Sequence, residues 1–204
     1  MIKIINYGSG NIRAIGNIYD RLKISYDIID HVKDLKDASK IILPGVGAFD
    51  ECMDKLNQSG FVKPLEEKVL KNKTPVLGIC VGMQILANGS DEGKLKGLGW
   101  IPGQVKLIDK SLLNHKPKLP HLGWNSISIK KETDLLSGVI ELEGFYFIHS
   151  YYFECENEEN ILTTTFYGKP FTSAVNSENI FGVQFHPEKS HTNGINLLKN
   201  FAEL

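Results

Sequence analysis

An α/β fold with a central, mostly parallel sheet flanked by helices and an antiparallel extension is what this chain predicts, and three observations carry the prediction. Apolar runs of strand length alternate with helix-periodic stretches through the first half. Past about Leu95 the texture changes to short alternating segments parted by Gly, Pro and Asn turns. The 204 residues contain no linker, repeat or low-complexity tract, so one domain over 1–204 is expected.

Ile2 to Asn6 reads as the first strand. The turn Gly8-Ser9-Gly10 leads to a helix from Asn11 to Lys23, with Ile12, Ile15, Tyr19 and Leu22 at helical spacing and Asn11 as its N-cap. Ser25 to Ile29 and Lys40 to Leu43 are the next strands, the second broken by Pro44-Gly45-Val46-Gly47. Ala48 to Asn57 and Phe61 to Lys71 are helical, and Thr74 to Ile79 is a central strand that delivers Cys80. The antiparallel segments are placed near Gln104 to Ile108, Asn125 to Ile129, Phe145 to His149, Ile161 to Phe166 and Ile180 to Gln184. Thr192 to Glu203 closes the chain as an amphipathic helix carrying Ile195, Leu198 and Ala202.

Composition narrows the setting. Lys and Arg number 23 against 24 acidic residues, with no basic block, which argues against a nucleic-acid or membrane surface and for a small ligand. Cys52, Cys80 and Cys155 are scattered without metal-ligand spacing, so no metal site or cofactor is expected, and reduced thiols suit the cytoplasm. The N-terminus has no signal-peptide pattern.

Gly78-Ile79-Cys80-Val81-Gly82 puts a cysteine at a strand-to-helix elbow, where flanking glycines allow a sharp turn and the thiol stands over the helix N-terminus. A buried hydrophobe is the commoner fate of a lone cysteine. His186-Pro187-Glu188 shifts the balance, because residues two apart in an extended segment project to one side and Pro187 keeps His186 out of the helical region. Cys80 as nucleophile, His186 as base and Glu188 as its orienter make a triad. Gln84, one helical turn after Cys80, shares the nucleophile's face.

Six segments resemble the class I glutamine amidotransferases, and within them the glutaminase subunits of imidazole glycerol phosphate synthase. They are Asn6-Tyr7-Gly8-Ser9-Gly10-Asn11, Leu43-Pro44-Gly45-Val46-Gly47-Ala48-Phe49, Gly78 to Gln84, Pro120-His121-Leu122-Gly123-Trp124-Asn125, His149-Ser150-Tyr151-Tyr152 and Gly182 to Ser190. The resemblance implies a flavodoxin-like fold and hydrolysis of L-glutamine to glutamate and ammonia through a thioester on Cys80. The Val81 N–H, directly after the nucleophile, is one expected oxyanion donor; the resemblance places the second in the Val46 to Gly47 stretch, where glycines on both sides of Val46 allow its peptide to flip when a partner is loaded. Gly47, Gln84, His149, Ser150 and Tyr151 would hold the substrate.

No phosphate-cradling glycine loop is present, so the ammonia must pass to another protein. In the resembled subunits the recipient is a (β/α)₈ cyclase of histidine biosynthesis, held as a heterodimer, with Asn11 and Trp124 the residues to examine for docking. The altered stretch Leu86 to Gly93 leaves open a sugar amidotransferase of surface glycan synthesis as recipient, and a non-catalytic scaffold subunit is a reading of another class. Cys52 and Cys155 are expected to be inert, and His31, His115 and His191 to be surface residues.

Overall fold

The computed structural model describes residues 1–113 and 118–204. His115 therefore lies outside the described residues.

The first half builds a parallel core in the expected order. Strands β1 (Ile2–Ile5), β2 (Tyr26–Ile29), β3 (Lys40–Gly45) and β4 (Val76–Cys80) are interleaved with helices α1 (Ile12–Leu22), α2 (Phe49–Gln58) and α3 (Val62–Glu66), the last continuing as a π-helical turn through Lys71. β1, β3 and β4 are buried along almost their whole length and are largely apolar, as strands of a parallel core are, with Lys3 in β1 paired to Asp27. Helix α1 buries Ile15, Ile18 and Tyr19, each apolar side chain contributing on the order of 1.5–3 kcal/mol when fully removed from water.

Cys80 is followed by α4 (Val81–Gln84), one turn long, and by the short strands β5 (Gly89–Ser90) and β6 (Gly103–Leu107). The second half contributes β7 (His121–Asn125), β8 (Ser128–Ile129), β9 (Phe145–His149), β10 (Tyr151–Cys155), β11 (Ile161–Tyr167), β12 (Lys169–Ser177), β13 (Ile180–Val183) and the closing helix α5 (His191–Glu203). The main sheet has eleven strands, with the path β2-β1-β3-β4-β13-β12-β10-β6-β5, and β11 and β8 branch from β12. β7 and β9 form a separate two-stranded ribbon. No helix among the described residues is long and apolar enough to cross a membrane.

Several expectations are corrected. β3 does not end at Leu43 but runs through Pro44 and Gly45, paired with Ile79 and Cys80. The proline is tolerated because β1 pairs with β3 only as far as Ile42, so no ladder bond is lost on that side. The single strand expected at Asn125 to Ile129 is two: β8 (Ser128–Ile129) falls inside that span and pairs with β11, while the longer β7 lies earlier, at His121–Asn125, and pairs with β9. β13 belongs to the parallel core beside β4, and only its other edge, toward β12, is antiparallel. β12 was not anticipated, since Thr172, Ser173 and Asn176 are buried and erase any apolar alternation.

Candidate active site

Cys80 adopts φ 58°, ψ −114° at the end of β4, a backbone state that costs a side-chain-bearing residue about 1–3 kcal/mol. The flanking glycines do not supply the positive φ, as neither Gly78 nor Gly82 has one. They supply close approach. A Cβ on Gly82 would overlap the Leu43 carbonyl oxygen, and one on Gly45 would lie 2.5 Å from the Gly82 nitrogen. The elbow is thus clamped against β3, and the strain falls on the cysteine itself. Since α4 is one turn long, the local N–H of Val81 matters here more than a long helix dipole.

Past β13 the chain bends at Gln184 and Phe185 and reaches His186, itself extended, whose N–H donates to the Tyr146 carbonyl at 2.9 Å. Pro187–Lys189 then forms a 3₁₀ turn, so Glu188 reaches the imidazole by that turn and not by strand alternation as the sequence suggested. His186 Nδ1 and Glu188 Oε1 are 2.7 Å apart, and both side chains are almost wholly buried. Burial alone would depress the imidazolium, but the Cys80 sulfur and the Glu188 carboxylate overcome it and hold the pKa of His186 up at about 10. Burial likewise opposes ionisation of Glu188, and His186 and then Asn11 reverse this and hold it below its ordinary value. His186 Nε2 is buried and closes no hydrogen bond among the described residues.

Both Cys80 and His186 line a cavity of about 410 Å³, a volume suited to a small ligand. Val46, Gly47, Val81, Gln84, His149, Ser150 and Tyr151, all singled out from sequence, line it too. Gln84 Nε2 donates to the Tyr151 carbonyl at 3.1 Å and to Gln184 Oε1 at 3.0 Å. Glu92, Lys189 and Gln184 were missed. Glu92 lines the cavity and accepts from the Phe49 N–H at 2.9 Å, while Gln184 Nε2 lies 3.8 Å from Cys80 Sγ. Only the place of Gln184, two residues before the histidine, could have drawn attention to it.

Val46 does not direct its N–H at Cys80. That N–H donates to Ser9 Oγ at 2.9 Å, and the Ser9 hydroxyl donates to the Val46 carbonyl at 2.9 Å. Cys52, read as inert, is a further donor to that carbonyl at 3.3 Å, and burial pushes its thiol pKa up. Cys155 is pushed up to about 12, again by burial.

The two docking candidates differ. Asn11 does not cap α1 with its side chain, and its amide donates instead to Glu188 Oε1 at 2.8 Å, inside the site. Trp124 is 47% exposed and stacks at 5.1 Å on His191, which is at the surface as expected. Leu122 and Ile148, paired across the ribbon, are exposed beside it. His31 is exposed as expected. Among the described residues no group of three or more His, Cys, Asp or Glu is placed to hold a metal ion.

Residues 4–204 match the family model described as "Glutamine amidotransferase class-I". Among curated proteins, an imidazole glycerol phosphate synthase subunit HisH of Bdellovibrio bacteriovorus is 50% identical over 204 residues, covering 100% of both chains. One of the same name from Leptospira interrogans is 48% identical over 204 residues, again covering both chains fully. Among solved structures, a glutamine amidotransferase superposes with a TM-score of 0.74 at 16% identity, over 100% of this chain and 98% of that one. Another glutamine amidotransferase, from Thermotoga maritima, gives 0.64 at 20% identity, over 92% of this chain and 75% of that one.

Proposed function

The chain belongs to the class I glutamine amidotransferase family, and from that premise we propose that it is the glutaminase subunit of an imidazole glycerol phosphate synthase, acting in the cytoplasm as one domain. The family makes it a glutamine amidotransferase. The pathway follows from full-length relatives at 48–50% identity that carry the synthase name.

Cys80, His186 and Glu188 carry the chemistry in this reading. The Cys80 sulfur attacks the side-chain amide carbon of glutamine, and its electrons move onto the carbonyl oxygen. With its pKa at about 10, the imidazole holds a proton at neutral pH and can give it to the departing nitrogen, so ammonia leaves as the tetrahedral centre collapses to a γ-glutamyl thioester. His186, now neutral, takes a proton from water, which attacks the thioester and releases glutamate. The observation that carries this reading is the convergence of a strained cysteine, a buried His–carboxylate pair and Gln84 on one cavity.

The oxyanion needs fixed donors, one of which is worth about 2.7–4 kcal/mol of barrier. Val81 N–H is the first. A second, from the Val46 to Gly47 stretch, requires its peptides to turn, and the capture of the Val46 N–H by Ser9 supports an idle state of that strand. Gly47, at φ 97°, gives the turn room. Glu92 is placed to meet the substrate's α-ammonium group.

Ammonia then passes to a (β/α)₈ cyclase docked on the ribbon face of Leu122, Trp124 and Ile148. The test is co-purification with that cyclase and with a sugar amidotransferase, followed by glutamate release with and without the synthase's acceptor. Stimulation by the loaded cyclase alone is expected. Stimulation by the sugar enzyme alone, or equal rates with and without a loaded partner, would reject the pathway or the gate respectively.

A further inference from the structure

The Tyr151 carbonyl, beside the glutamine cavity, accepts two hydrogen bonds, from Gln84 Nε2 and from His149 Nδ1 at 2.8 Å. A carbonyl oxygen only accepts, so His149 carries its proton on Nδ1 and its Nε2 is an acceptor. His121 Nδ1 lies 3.0 Å from that Nε2 and is therefore the donor, which leaves His121 Nε2 to accept. The far end fixes the same polarity independently. Asn125 Nδ2 donates to the Phe166 carbonyl at 2.9 Å, which sets the orientation of its amide, and the same nitrogen is 3.1 Å from His121 Nε2.

Simple core packing explains part of this, since His121 is 3% exposed and stacks against Phe147 and Tyr167. Packing does not require two polar rings with all four nitrogens paired in one direction, ending on a carbonyl shared with Gln84. The strand matters as well. His121 and Asn125 belong to β7, whose residues Leu122 and Trp124 are exposed on the other face, so the ribbon links its outer surface to the cavity wall.

We propose that His121 and Asn125 are positioning residues for glutamine: they hold the His149 ring by its Nε2 against the Tyr151 carbonyl, and through that carbonyl the Gln84 amide at the cavity. The proposal rests on the cavity being the glutamine site. It does not depend on which synthase takes the ammonia.

Two variants of the full chain test it. His121→Phe keeps the ring stack and removes both nitrogens, while the nearly isosteric Asn125→Asp turns a donor facing His121 Nε2 into an acceptor. The readouts are nitrogen NMR of the His149 ring and the glutamine concentration that protects Cys80 from a haloacetamide. In each variant that keeps the wild-type circular dichroism, the His149 Nε2 resonance shifts because its hydrogen-bond donor is lost, and protection needs about tenfold more glutamine. The alkylation rate without glutamine stays unchanged, which general loosening of the site would not allow. A folded variant that retains either the wild-type His149 Nε2 resonance or the wild-type protection overturns the proposal. Wild-type protein that glutamine fails to protect would overturn the site assignment instead, with the His149 resonance still deciding the relay.

Discussion

Asn11 and Glu188, 177 positions apart, are joined by a 2.8 Å hydrogen bond from Asn11 Nδ2 to Glu188 Oε1, the oxygen that also meets His186 Nδ1. The β1–α1 loop thereby supports the carboxylate whose other oxygen, Oε2, is buried without a partner among the described residues. Asn11→Ala removes a bond to a charged acceptor, and glutamate release in the synthase complex should fall about tenfold with little change in thermal stability. Steady-state kinetics of the complex check this, and an unchanged kcat would mean that Glu188 is held by its own turn.

Glu188→Gln should bring the His186 pKa down from about 10, because one of the two groups that hold its proton is gone. An NMR titration of the ring reads the shift directly. Glutaminase activity should fall by about 10⁴-fold, the loss that follows when the orienting carboxylate of such a triad is made an amide.

The elbow tolerates no added methyl. Gly82→Ala and Gly45→Ala each drive a Cβ into backbone of the facing segment, where neither partner is the end of a flexible side chain. Each should cost about 3 kcal/mol or more in chemical denaturation, enough to threaten expression. Gly123→Ala is a useful contrast, because among the described residues no atom beyond its chain neighbours lies within 4 Å of its added Cβ, and its φ of 115° is what opposes the change.

Acid should weaken the fold through His149, whose pKa is held down at about 3 by burial and by the neighbouring His121 and His186. Its folded pKa lies below the ordinary value near 6.5, so as pH falls below about 6.5 the unfolded chain takes a proton that the folded ring refuses. Stability from this group is complete above that pH and declines by about 1.4 kcal/mol per unit down to about pH 3. Denaturation midpoints between pH 7 and 4 should therefore slope less steeply in His149→Gln than in wild type.

The parallel half of the fold was legible because its strands are short, largely apolar runs set between helical patterns, Cys80 because it closes one such run and His186 because it follows another. β12 was not legible, since Thr172, Ser173 and Asn176 are buried, and Ser173 bonds to Thr163 and Asn176 to Lys131 and the Ile180 carbonyl, pairings that no hydrophobic pattern records. Asn11 was misread for a similar reason. An asparagine before a helix looks like a cap, and only the fold brings it within reach of a carboxylate at the other end of the chain. The capture of Val46 by Ser9 joins two loops 37 residues apart, and no local propensity signals it.

Covalent trapping tests the central claim most directly. The protein is treated with a glutamine-mimicking electrophile, digested and mapped by mass spectrometry, with and without excess glutamine. The account predicts a single adduct on Cys80, suppressed by glutamine and abolished by His186→Asn. An adduct on Cys52 or Cys155, or none at a reagent excess that labels denatured protein, would contradict it.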